Sequence, residues 1–266
     1  MKENSHCEVW KFFYILSVIK KMVKKMKKSY AVILAAGSGT RMGGNIAKQY
    51  RILGENPVLY YSVRAFEESP VNSIVLVVTD GMQDYVRKEI VERYNFSKVE
   101  AVVVGGNERY KSVYKGLEVL SEEGIVLIHD GARPFVDNAL IGRVLKKMET
   151  EQACVPAVPL KDTVKRALNG YIQQTIPREE LYAVQTPQAF DLGVLKLSYK
   201  EYFRFLNGLE QKKEYKSLAN RTVTDDAMLV EAMLGTQVAV VEGDYRNIKL
   251  TTPEDWIIAK AFLKVM

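Results

Sequence analysis

Residues 31–36 (Ala-Val-Ile-Leu-Ala-Ala) are apolar without a break and run straight into Gly37-Ser38-Gly39-Thr40-Arg41-Met42-Gly43-Gly44. An apolar run of this length, closed by glycine, reads as a strand buried on both faces of a parallel sheet. Such a sheet needs helices on both sides. The glycines let the chain turn where side chains would obstruct it. Backbone N–H groups in such a loop can close around phosphate oxygens.

The rest of the chain supplies the layers. Ser73 to Thr79, Val99 to Val104, Ile125 to His129 and Ala153 to Pro159 read as further strands, the last interrupted by prolines. Between them, Pro57 to about Ser69, Gln83 to Tyr94, Glu108 to Leu120 and Asn138 to Thr150 have helical patterning. Pro57 suits the first helical position. Alternating strands and helices with right-handed crossovers predict an α/β fold, a Rossmann-like, doubly wound, mostly parallel sheet. The pattern breaks at Leu160. Two short alternating segments, Thr163 to Ala167 and Tyr171 to Ile176, flank Asn169-Gly170. Asn-Gly between such runs predicts a hairpin. It reads as a projecting β-hairpin arm over about residues 160–181, and a lone hairpin needs something to lean on. Leu181 to Gln185 returns to the body. Helices follow at Leu192 to Leu206 and Asp225 to Leu234, the second capped by Thr224 or Asp225. A polar, basic loop at Gly208 to Arg221 joins them. Gln237 to Glu242 is a last strand and Pro253 to Leu263 a terminal helix.

The chain has 266 residues and a formal net charge of +6. Of its 38 basic and 32 acidic residues, eight and two lie in residues 1–28, so the body holds 30 of each. The charge therefore argues against a nucleic-acid surface on the body. Cys7 and Cys154 form no ligand-spaced cluster, which points to a reduced, cytoplasmic setting and excludes a four-cysteine zinc site. In the tail, Phe12, Ile15, Leu16, Ile19, Val23 and Met26 recur at helical spacing among lysines. That is the pattern of a basic amphipathic helix that touches membrane. The run is too short to span a bilayer, and its charge order is wrong for a signal peptide. The expectation is instead that residues 1–28 are an extension ahead of a start at Met22 or Met26.

The glycine loop is not a P-loop, because no Gly-Lys-Ser/Thr follows. Nor is it the dinucleotide fingerprint, because Met42 stands where the third glycine belongs. It offers Arg41 and, seven residues on, Lys48, and two cations beside such a turn suit triphosphate chemistry. Asp130 follows a buried strand at the carboxyl edge where open α/β sheets bind ligands. There it is a natural Mg²⁺ ligand beside a nucleotide. Arg133 faces the same crevice, and Gly105, Gly106 and Ser112 sit at a neighbouring strand end. His129 reads as a structural residue at a strand end, not a base.

The segments Leu34 to Gly43, Lys48-Gln49-Tyr50, Gly105 to Arg109, His129 to Pro134, Thr186-Pro187-Gln188, Thr224-Asp225-Asp226 and Asn247-Ile248-Lys249 together resemble the 2-C-methyl-D-erythritol 4-phosphate cytidylyltransferase family. The resemblance runs from about residue 29 to the end, so residues 29–266 are expected to form one cytidylyltransferase domain. It implies the nucleotide-diphospho-sugar transferase type of fold. It also implies transfer of CMP from CTP to the polyol phosphate, with Mg²⁺ and release of pyrophosphate, in non-mevalonate isoprenoid synthesis. By this resemblance Arg41 and Lys48 stabilise the transition state, and Arg178 and Lys249 hold the acceptor phosphate. Ala35, Ala36, Gly37, Ser38, Gly39, Gly106 and Ser112 hold the nucleotide. Asp130, Ala132, Arg133, Thr163 and Thr186 complete the substrate site, with Asp130 on the metal. The arm is then the contact of a homodimer, in which Thr163 and Arg178 reach a second copy's site. Ala47 departs from the proline usual before Lys-Gln-Tyr. Two alternatives remain open from sequence: a ribitol 5-phosphate cytidylyltransferase, and a non-catalytic nucleotide-binding module.

Overall fold

In a computed structural model of the chain, the residues described are 27–37, 47–120, 123–208 and 223–265. Calls on the N-terminal tail, on Ser38, Gly39 and Arg41, and on most of the 208–221 loop lie outside the described residues.

The first strand, β1 (Ser29–Ala35), is buried almost throughout. Its side chains alternate between two cores, as strand geometry requires. Ala31 and Ile33 enter one apolar cluster and Tyr30 and Val32 the other. After it, β2 (Ile52–Leu53) and β3 (Asn56–Pro57) form a short pair. Pro57 sits at the N-cap of α1 (Val58–Glu67), one position before the expected one, because its nitrogen closes this small pair.

Next come β4 (Ser73–Val78), α2 (Gln83–Val86), β5 (Val99–Val104), α3 (Arg109–Glu118), β6 (Ile125–Asp130), α4 (Asn138–Lys147) and β7 (Ala153–Pro159). The α2 helix continues as a π-helical turn over Arg87–Glu92. The predicted hairpin is β8 (Val164–Leu168) with β9 (Tyr171–Ile176), a separate two-stranded sheet. Asn169 and Gly170 both have positive φ, 51° and 82°, as a two-residue turn of this hand needs. The chain returns through β10 (Tyr182–Val184), β11 (Gln188–Asp191), α5 (Leu192–Leu206), α6 (Asp226–Leu234), β12 (Ala239–Glu242) and α7 (Pro253–Leu263).

The main sheet has eight strands in the order β10-β7-β11-β6-β1-β4-β5, with β12 on the outer side of β7. β1 lies between β4 and β6, parallel to both. Two strands depart from the parallel expectation: β10 and β11 run antiparallel. β11 was not anticipated, because Gln188 to Asp191 is too short and too mixed to stand out as a strand. Pro156 does not interrupt β7. Its carbonyl accepts from the Gln185 N–H at 2.8 Å, so its missing donor faces the gap where that edge passes from β10 to β11.

One core packs α1, α2 and α4 on one face of the sheet, and the other packs α3, α5 and α6 on the opposite face. A third cluster, Leu53, Val58, Phe135, Leu250 and Ala259, seats α7 against the top of the first layer. This doubly wound layout sends the carboxyl ends of β1, β4, β5 and β6 to one rim.

Candidate active site

At that rim lies an open cavity of about 670 Å³. Its walls are Leu34, Ala36 and Gly37 after β1, Thr79 and Asp80 after β4, Gly105 to Arg109 after β5, Ser112 on α3, and Asp130 and Ala132 after β6. Lys48, Gln49, Lys249 and Thr251 close the circle.

The β1 wall is held from behind. Gln49 is buried, and its Nε2 donates to the Ala35 carbonyl at 2.6 Å and to that of Gly37 at 2.9 Å. Tyr50 Oη donates to the same Ala35 carbonyl at 3.1 Å. Burial pushes the Tyr50 phenol up to about 12, so it remains a donor. Thus Ala35 works through its backbone behind the cavity, while Ala36 and Gly37 line it.

The β5 wall depends on absent side chains. A Cβ on Gly105 would stand 2.5 Å from the Ala36 Cβ, and one on Gly106 2.4 Å from the Lys111 Cβ. Ser112 Oγ accepts from the Gly106 N–H at 3.1 Å. This brings the ends of β1 and β5 into direct contact and leaves backbone groups lining the cavity.

The floor is Asp130, with three cations around its carboxylate. Lys249 Nζ is 2.8 Å from Oδ2, Arg109 Nε is 3.6 Å from Oδ1, and Arg133 Nε is 3.9 Å from Oδ2. Burial would raise the Asp130 carboxyl, but Arg109 and Lys249 overcome it and hold the group well below the usual carboxylate range. Asp130 is therefore ionised at neutral pH.

Under the floor runs a chain of hydrogen bonds. The Asp130 N–H donates to Thr186 Oγ1 at 3.1 Å, and Thr186 Oγ1 lies 3.1 Å from His129 Nδ1. His129 Nε2 faces the Arg133 carbonyl at 3.3 Å. A carbonyl only accepts, so Nε2 carries the ring proton and Nδ1 accepts from the threonine hydroxyl. Burial above all drives the imidazole down to about 3, so it is neutral. Arg133 Nη1 donates to the Asn247 carbonyl at 2.6 Å, and Asn247 Nδ2 to the Thr186 carbonyl at 2.8 Å. Thr186 and Arg133 thus support the floor and set Lys249 above it.

Of the residues expected at the site, the cavity brings together Ala36, Gly37, Lys48, Gly106, Ser112, Asp130, Ala132 and Lys249. Thr163 and Arg178 stand apart on the exposed arm, where Arg178 Nη1 donates to the Lys161 carbonyl at 2.8 Å. Two residues that lie in the segments carrying the resemblance receive no site role from the sequence. Arg109 lines the cavity and links Asp130 to Asp226, with Nη2 2.8 Å from Asp226 Oδ2. Asp226 is fully buried and accepts from Tyr199 Oη at 2.6 Å. Its signal was the second of two consecutive aspartates. Asp225 caps α6 through Met228 N, which leaves Asp226 on the face shared with the buried Leu229 and Val230.

Comparison with known proteins decides the family. The profile of the 2-C-methyl-D-erythritol 4-phosphate cytidylyltransferases matches residues 29–265. The chain belongs to this family. It is 42% identical over 240 residues to the cytidylyltransferase of that name from Lachnoclostridium phytofermentans, covering 90% of this chain and 97% of that one. The Geobacter metallireducens enzyme of the same name is 44% identical over 242 residues, covering 88% and 97%. Among solved structures, 4-diphosphocytidyl-2C-methyl-D-erythritol synthase from Anaerococcus prevotii superposes with a TM-score of 0.73 at 32% identity. That match covers 90% of this chain and all of the other. The mostly parallel α/β sheet is therefore the fold of this family, and the chain is of the nucleotidyltransferase class.

Proposed function

We propose that this chain transfers CMP from CTP to 2-C-methyl-D-erythritol 4-phosphate, releasing pyrophosphate. The observation that carries this reading is the ring of Lys249, Arg109 and Arg133 around an ionised Asp130, on the floor of a cavity whose far wall is glycine backbone. Such a site gathers two polyanions and supplies fixed positive charge where it is needed.

An acceptor phosphate oxygen attacks the α-phosphorus of CTP. A new P–O bond forms there as the bond to the β-phosphate oxygen breaks, and the electron pair leaves with pyrophosphate. The attacking phosphate is already ionised, so no general base is required. Lys48, on the β1 side, and Arg41 neutralise charge on the phosphoryl oxygens. Lys249 holds the acceptor phosphate. The backbone after β1 and β5, with Ser112, holds the nucleotide.

Asp130 suits a hard cation: it offers ionised oxygen donors on the cavity floor, and the remaining ligands of Mg²⁺ commonly come from substrate phosphates. Bound there, the ion would neutralise the departing pyrophosphate. Among the described residues, no group of three or more His, Cys, Asp or Glu could hold a metal ion alone.

The arm fits a homodimer. It exposes Leu168, Tyr171 and Ile172 at 63%, 74% and 66%, too much apolar surface for a hairpin that faces water. In that assembly Thr163 and Arg178 reach the acceptor side of a second copy's cavity. Among the described residues no helix is long and apolar enough to cross a membrane, and a cytoplasmic enzyme is part of this proposal.

The test is pyrophosphate release from CTP and Mg²⁺ with a panel of polyol phosphates. Turnover with 2-C-methyl-D-erythritol 4-phosphate is expected. Turnover with ribitol 5-phosphate alone, or with neither, would overturn the assignment.

A further inference from the structure

Arg109 has two carboxylates to choose between, and the distances show which one holds it. Its Nη2 lies 2.8 Å from Asp226 Oδ2, a close ion pair whose angle falls short of a hydrogen bond. Its Nε stands 3.6 Å from Asp130 Oδ1, beyond hydrogen-bond length. The nearer partner is also the fully buried one, and a buried carboxylate does not readily give up the one cation paired with it among the described residues.

Asp226 is itself fixed from three sides. Tyr199 Oη, from α5, donates to Oδ1 at 2.6 Å. Gln188 Oε1 accepts from the backbone N–H groups of Asp226 and Ala227 at 3.1 and 3.2 Å. Gln188 Nε2 donates to Asp225 Oδ2 at 2.8 Å. These contacts rest on β11 and α5, not on the cavity, so a ligand arriving at Asp130 does not disturb them.

We propose that Asp226 and Tyr199 are positioning residues that hold Arg109 back from Asp130, keeping Asp130 Oδ1 open to the cation the site must take while Lys249 holds Oδ2. Without the Asp226 charge, the guanidinium closes on Asp130 and occupies Oδ1. This deepens the proposed function and rests on it.

The probe is Mn²⁺ in the presence of CTP, with binding read by electron paramagnetic resonance and not by turnover. Asp226→Asn keeps the shape and the Tyr199 contact but removes the charge. Its Mn²⁺ affinity is expected to fall about tenfold, the low end of what residues supporting a metal ligand are worth. Tyr199→Phe removes only the hydroxyl and is expected to lower affinity about threefold, the lesser share of the same support. Adding Arg109→Gln to Asp226→Asn removes the cation that closes on Asp130, so affinity returns toward the wild-type value. Leu229→Ala, a buried cavity on the same helix, loosens α6 without touching the charges and is expected to leave affinity unchanged.

Wild-type affinity in both Asp226→Asn and Tyr199→Phe would overturn the proposal. So would a loss in Leu229→Ala equal to that in Asp226→Asn, or a double variant no better than the single. If Asp226→Asn does not fold, Tyr199→Phe with its wild-type control decides. A wild-type chain that holds no Mn²⁺ with CTP overturns the function reading itself, and the proposal with it.

Discussion

His129 makes the acid stability of this fold calculable. It is the sole histidine among the described residues, the chain's other being His6. Burial holds its imidazole neutral down to about 3, against the ordinary 6.5. In the unfolded chain it takes up a proton near 6.5. Between those values unfolding binds one proton more than the native state, so stability falls as pH falls, at about 1.4 kcal/mol per pH unit. From pH 7.5 to 4.5 this single group removes about 2.7 kcal/mol. Carboxylates also titrate over that range, so the contribution is read against His129→Asn. Asparagine keeps an acceptor for the Thr186 hydroxyl, and Ser62 Oγ still donates to the Arg133 carbonyl at 3.2 Å. The variant loses the ring's contact with Phe66, whose centroid lies 5.2 Å away, and is expected to be less stable by about 1–3 kcal/mol at pH 7.5. Urea unfolding at half-unit pH steps measures both curves. The gap between them should shift by about 2.7 kcal/mol in favour of the variant by pH 4.5, closing or reversing. A gap that stays constant across the range would refute the neutral buried imidazole.

Three further outcomes are expected. Gly105→Ala drives a methyl to 2.5 Å from the Ala36 Cβ, so the β1 and β5 ends must part. Calorimetry should show CTP affinity down by about tenfold or more, from overpacking of about 1–3 kcal/mol. Lys249→Met removes the 2.8 Å partner of Asp130 but exposes little new surface. Turnover should fall by about 100-fold or more, as when a fixed charge aimed at the reacting phosphates is lost, while the melting temperature moves little. Lys48→Ala and Arg178→Ala chains, each inactive alone, should regain activity when mixed under exchange; no recovery would separate the arm from a second copy's site.

The parallel half of the sheet was legible because its strands are buried on both faces, which writes unbroken apolar runs such as Ile74 to Val78. The hairpin was legible because Asn169 and Gly170 are the residues its turn demands. β11 was not, since four residues of mixed character become a strand only when β6 and β7 present their edges to it. At the site, Lys48, Asp130 and Lys249 stood out as charges beside glycines or strand ends. Arg109 and Asp226 did not. Their partnership joins residues 117 positions apart, and neither local pattern nor charge order announces it. Likewise Thr163 and Arg178 were assigned by resemblance, and no spacing along the chain ties them to a cavity.

The ladder of β1 has a consequence for quality control in the cell. Leu34 sits opposite Val77 on one side and Asp130 on the other, so one set of backbone hydrogen bonds sets the height of three walls of the cavity at once. A slip of one residue would turn Ala31 and Ile33 toward the wrong core as surely as it would lift Asp130 off the floor. Misaligned chains are therefore penalised by the hydrophobic layers before any substrate arrives. A population of these molecules should divide into fully competent and unfolded members, with few half-active ones, and specific activity should track the folded fraction linearly.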